Sequence, residues 1–211
     1  MAVAALVLSI ASILVTVLAL YFGKRSADAA TTATNIERER RHAEMRPRYL
    51  VSCDAPNSGT DRRNLHVKLA GPGELEALDQ LTVRIRDDSH TRLKAEPAPG
   101  QPPESVPDQV WGPLHFVPNT GPGVTTRQGA VGADTAGRST TSDGMPVGEE
   151  HIYALEATSP PPRSSWNREQ WRAEVGSKLR LRMEGRKEGW DPWITVGEIK
   201  VTATRTVVEI T

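Results

Sequence analysis

Five histidines, one cysteine and two pairs of neighbouring carboxylates are the residues of this chain best equipped for chemistry. His42, His66, His90, His115 and His151 stand singly. None lies in an HExxH motif or beside a pair of cysteines, so the familiar zinc spacings are not met. Cys53 beside a histidine would make a thiol nucleophile. It falls in a short strand-like run, where a lone cysteine behaves as a small apolar residue. The chain holds no GxSxG elbow and no SxxK. Gly71-Pro72-Gly73 and Gly121-Pro122-Gly123 place proline where a phosphate cradle needs an N–H. Gly129, Gly132 and Gly137 are irregularly spaced. Asp87-Asp88 and Glu149-Glu150 are adjacent pairs. Neighbouring side chains on a strand point to opposite faces, so neither pair makes a general acid and base by itself. The expectation is no catalytic residue, no metal and no cofactor.

The tryptophans are the remaining unusual feature. Five occur against three tyrosines and two phenylalanines. Trp166, Trp171, Trp190 and Trp193 fall in the last third. Gly189-Trp190-Asp191-Pro192-Trp193 reads as a polar turn carrying two large rings. Exposed, Trp190 and Trp193 would form a surface for a protein partner or a sugar. Folded inward, they would cap the core, with Trp166 and Trp171 covering one end of it. Both readings stand at this level.

The elements that position these residues change character along the chain. Ala2 to Phe22 is uncharged and apolar. About 20 such residues span a hydrocarbon core about 30 Å thick as a helix. Lys24 and Arg25 end the run, so residues 1–23 read as a transmembrane anchor. A cleaved signal is the rival, with Ala27-Asp28-Ala29 as a small-x-small site. The absence of Lys or Arg before the run and its length oppose that reading. Ala5, Ser9, Ser12 and Thr16 fall on one stripe, a surface on which two such helices could associate. Residues 24–46, rich in Ala, Glu and Arg, read as a charged helical stalk with Glu37–Arg41 in the favourable i, i+4 order. The stalk arginines would also suit anionic headgroups. Lys24, Arg25, Arg38, Arg40, Arg41, Arg46 and Arg48 all follow the span, so the positive-inside rule puts the N-terminus outside and the large domain in the cytoplasm.

From Arg48 the apolar period becomes two. Tyr49–Cys53, Leu65–Leu69, Leu81–Arg86, Val110–Val117, Ile152–Thr158, Leu179–Met183, Ile194–Thr204 and Val207–Ile210 read as strands. Short strands with half-polar faces, joined by Gly- and Pro-rich turns, predict an all-β, antiparallel β-sandwich-like domain over residues 47–211. One helix is expected after Ser164-Ser165, with a serine cap and Gly176 as its stop. Residues 94–108 and 118–149, poor in large apolar side chains, are expected to be flexible loops. Acids and bases balance at 26 each, without the overall basic excess of a nucleic-acid binder.

An uncharged N-terminal anchor, an Ala/Glu/Arg-rich stalk, and a β-rich domain from RPRYLVSCD to ITVGEIKVTA resemble the uncharacterised small single-pass membrane-anchored proteins of high-GC bacteria. That resemblance rests on layout, implies no activity and transfers no site residue. The expected function is a membrane-tethered, non-enzymatic interaction module, bound to the lipid bilayer through residues 1–23 and to an unidentified protein partner. Two alternatives follow: an exported domain binding cell-wall polymer or carbohydrate through Trp190 and Trp193, and an enzyme whose site has no recognisable motif.

Overall fold

Alternation of apolar and polar side chains makes one face of each strand apolar, and two such faces must cover one another. The computed structural model describes residues 2–54, 62–87, 110–117, 133–160, 166–202 and 205–211, with side chains of the N-terminal helix from Leu18 onward. The chain divides into two units, Met1–Glu44 and Met45–Thr211.

The first unit is a single helix, α1 (Ala2–Glu44). Thr31, Thr32 and Thr34 each donate a hydroxyl to the carbonyl four residues earlier. Arg40–Glu44 and Arg41–Glu37 are i, i+4 ion pairs. Both pairs are exposed and screened by water, so they add little to stability. Among the described residues no helix is long and apolar enough to cross a membrane. From Leu18 on, Lys24, Arg25, Asp28 and Glu37 break up the apolar character. Most of the expected anchor, and its stripe of Ala5, Ser9, Ser12 and Thr16, carries side chains outside the described residues.

The second unit is built from β1 (Arg48–Asp54), β2 (Arg62–Gly71), β3 (Ala77–Ile85), β4 (Leu114–Phe116), β5 (Ser139–Pro146), β6 (Glu150–Ala157), α2 (Arg168–Val175), β7 (Lys178–Arg186), β8 (Trp193–Lys200) and β9 (Thr206–Ile210). The first sheet runs β4-β6-β2-β1-β9 and the second β5-β3-β7-β8. Every strand pair is antiparallel. Tyr49, Val51 and Cys53 of β1, Leu65, Val67 and Leu69 of β2, and Tyr153 and Leu155 of β6 face Leu81 and Val83 of β3 and Leu179, Leu181 and Met183 of β7 in one core. Each such large side chain removed from water contributes roughly 1.5–3 kcal/mol. Gly197 of β8 has no side chain where Ile210 of β9 passes; a Cβ there would collide with it. This lets the ends of the two sheets close together.

A second, smaller cluster joins Trp111, Trp171 and Val175, with Trp166 against it. The Trp111 and Trp171 rings meet edge to face at 5.4 Å, and Trp171 Nε1 donates to Thr158 Oγ1 at 2.9 Å. Asn167, not a serine, caps α2 in a reciprocal box with Gln170. Its amide oxygen accepts the Gln170 backbone N–H, one of the donors a helix start leaves without a partner. Helix α2 stops at Gly176, which adopts a positive φ of 68°.

Three expectations need correction. The segment 118–149 is not irregular throughout: Ser139–Pro146 forms β5, paired with β3. The strand expected over 110–117 is confined to Leu114–Phe116, because Gly112 and Pro113 precede it and proline offers no ladder donor. Strand β8 ends at Lys200 rather than Thr204. The loop expected over 94–108 lies outside the described residues. At the open edge of the second sheet, Arg46 Nη2 donates to the Ile194 carbonyl of β8 at 3.1 Å.

Candidate functional site

Strand β6 begins with Glu150 pointing outward and His151 inward, and each residue anchors a polar cluster. On the outer face of the first sheet, register sets Ser52 of β1 beside His66 of β2. Asp54 and Glu150 sit on the diagonals of His66, within side-chain reach. His66 Nε2 lies 3.3 Å from Asp54 Oδ1. Its Nδ1 lies 3.4 Å from Glu150 Oε2, an ion-pair contact off the hydrogen-bond axis. Arg205, just before β9, donates to Glu150 Oε1 at 2.6 Å and to Ser52 Oγ at 2.9 Å. The imidazole is only 7% exposed although it stands on an outer face. Burial by itself would raise the Glu150 carboxyl; the adjacent His66 imidazole and the hydrogen-bonded Arg205 guanidinium outweigh it and hold the carboxyl below its ordinary value.

The inner cluster spans the two sheets. Ser142 of β5 is 5% exposed. Its Oγ lies 3.2 Å from His151 Nδ1 and 3.2 Å from the Tyr153 hydroxyl, and donates at 3.4 Å toward the Leu81 carbonyl. His151 Nε2 lies 3.2 Å from Glu149 Oε1. Serine, imidazole and carboxylate in that order are the parts of a nucleophilic relay. Here the hydroxyl is enclosed by the Leu81 carbonyl and the Tyr153 ring, facing the sandwich interior. Burial raises the Tyr153 phenol to about 12, with the Ser142 hydrogen bond opposing. The phenol therefore serves as a fixed neutral donor and acceptor.

The other residues singled out from sequence occupy structural places. Trp193 is 3% exposed and belongs to the core, and Trp190 packs against that core with its ring 5.7 Å from Trp193. The exposed two-ring surface is therefore corrected. Trp193 opens β8 on its inward side, and the Trp190 N–H closes the turn onto Lys187. Cys53 is buried, and burial raises its thiol to about 11. Asp87 forms a buried pair with Arg138 at 3.3 Å and accepts the Trp111 N–H. Asp88 and His90 lie outside the described residues. His115 faces Glu156 at 3.4 Å; burial lowers its imidazole against the pull of that carboxylate. Among the described residues no group of three or more His, Cys, Asp or Glu could hold a metal ion.

Sequence reasoning missed both clusters. The one signal was the Glu149-Glu150 pair, whose opposite orientations send one carboxylate to each histidine. No protein-family model, no curated protein and no solved structure matches this chain.

Proposed function

We propose that this chain is a single-pass membrane protein. Residues 1–23 insert into the bilayer, and the β domain is carried on the cytoplasmic side as a non-enzymatic interaction module. The observation that carries this reading is at the end of the apolar run. Leu18, Leu20, Tyr21 and Phe22 of α1 are each more than half exposed, and Lys24 and Arg25 follow directly. Large uncovered side chains on a helix call for an apolar cover, and rings beside cations suit the headgroup boundary. The arginines that follow favour the cytoplasmic side for the domain. Holding the domain at the bilayer raises its effective concentration for membrane-borne partners.

Fractionation and a sidedness reporter test this. The full chain is expected to stay with membranes through a high-salt wash and leave them only in detergent. A version lacking residues 1–23 is expected in the soluble fraction. A reporter fused after Thr211 is expected to be active only when it works in the cytoplasm. Full-length protein recovered in the soluble fraction sinks the tether, and external reporter activity reverses the orientation.

A further inference from the structure

The outer face of the second sheet is divided by charge. Arg84 of β3, Lys178, Arg180 and Arg182 of β7 and Lys200 of β8 all point outward at one end, where the strands alternate with buried Val83, Leu179, Leu181 and Ile199. Glu198 is the acid among them, bridged by Lys178 at 2.6 Å and by Arg180 at 3.1 Å. Toward the β7–β8 turn the face becomes mixed. Glu184 there pairs with Arg186 at 2.6 Å and reaches Arg182 at 3.8 Å, and Asp143 lies beside Gln80.

Register makes the basic end costly. Arg84 is the cross-strand partner of Arg182, and Lys178 the partner of Lys200. Like charges directly opposite one another destabilise a sheet. Two such pairs on one face, in a chain of zero net charge, collect positive potential that Glu198 and Glu184 offset only in part. Beside the arginines, Ile194 and Val196 of edge strand β8 stand nearly half exposed, with Val196 opposite Arg182.

We propose that this end of the second sheet docks on the anionic headgroups of a lipid bilayer. Cations would meet phosphates there, and the two aliphatic side chains would enter the boundary of the acyl region. The mixture favours lipid over nucleic acid: among the described residues the face carries aliphatic rather than aromatic side chains, so they offer no ring on which bases could stack. The proposal rests on the membrane tether proposed above, which would present the face to a bilayer continuously.

The test uses the full chain with vesicles of phosphatidylcholine alone or mixed with anionic phosphatidylglycerol. Flotation is read first, then acetylation of lysines by an amine-reactive ester. Lys68, on the outer face of the other sheet, is the internal reference. Expected is flotation with both compositions. Lys178 and Lys200 should react about tenfold more slowly relative to Lys68 in the anionic vesicles only, recovering in high salt. The double variant R84E/R182E should float equally well and lose the protection. The salt response of the unmodified chain decides the matter if that variant does not fold. Equal reactivity in both vesicles overturns the docking face and leaves the tether standing. Flotation only with anionic vesicles, lost in R84E/R182E, overturns the tether and supports the face. Flotation with neither overturns both. Stronger protection by a short DNA duplex than by anionic vesicles overturns lipid as the occupant.

Discussion

Glu149 and Glu150 are neighbours, and each holds a histidine, but the two sites differ in kind. Inside, His151 of β6 meets the Ser142 hydroxyl of β5, which in turn meets the Tyr153 hydroxyl of β6. Outside, His66 lies between the Asp54 and Glu150 carboxylates of one sheet, and Arg205 holds Glu150 in place. The inner network therefore ties the sheets together, while the outer one ties strands within a sheet. A step of one residue along β6 separates the two roles, because side chains on a strand alternate. Where water is excluded, an unmatched polar atom is expensive. Both imidazoles are shielded, but the charged groups around His66 reach water, which screens them, whereas Ser142 and Tyr153 do not.

The largest difference should appear on truncation. His151→Ala leaves a void and takes the imidazole partner from the buried Ser142 hydroxyl, and should cost about 2–4 kcal/mol in urea unfolding. His66→Ala leaves Glu150 still paired with Arg205, and should cost about 1 kcal/mol. Equal losses would erase the distinction. The next test compares tyrosines. Tyr153→Phe removes a matched hydroxyl and should cost about 1 kcal/mol, whereas Tyr49→Phe removes a buried hydroxyl with no partner among the described residues and should gain about as much. Both tyrosines line the same core, so the sign alone carries the result.

A subtler effect lies in acid. The Glu150 carboxyl is held below its unfolded value of 4.5. Its contribution is present above that pH and is lost as pH falls through the depressed folded value. Glu150→Gln should flatten the acid limb of a stability-versus-pH curve, measured by thermal melting. An unchanged limb would remove the outer site from the acid response. The smallest expected effect is none: a fluorophosphonate should leave Ser142 unlabelled in the folded protein. Labelling at Ser142, read by mass spectrometry, would turn the inner site from a brace into a reactive centre.

The strands with large apolar side chains on one face were legible from sequence. Leu65, Val67 and Leu69 announce β2, and Leu81 and Val83 announce β3. Strand β5 was not, because its inward positions include Thr140 and Ser142, and only Met145 is large and apolar. The tryptophan turn left two readings open for a related reason, and the inward one holds. Its glycine, aspartate and proline suggest a wet loop, but Trp193 is already the first inward position of β8. Neither histidine cluster was legible beyond the Glu149-Glu150 pair. His66 and His151 stand far apart in sequence, and only strand register and the return of β5 beside β3 bring their partners to them.

The contact from Arg46 to Ile194 has one more consequence. Strand β8 closes the second sheet with an unpaired side, and such a side is a template on which another copy can lay a strand. A guanidinium seated on the Ile194 carbonyl occupies one rung of that template and surrounds it with charge. Wherever many copies are crowded together, this arginine acts as a chain terminator: it ends a ladder that would otherwise grow from molecule to molecule.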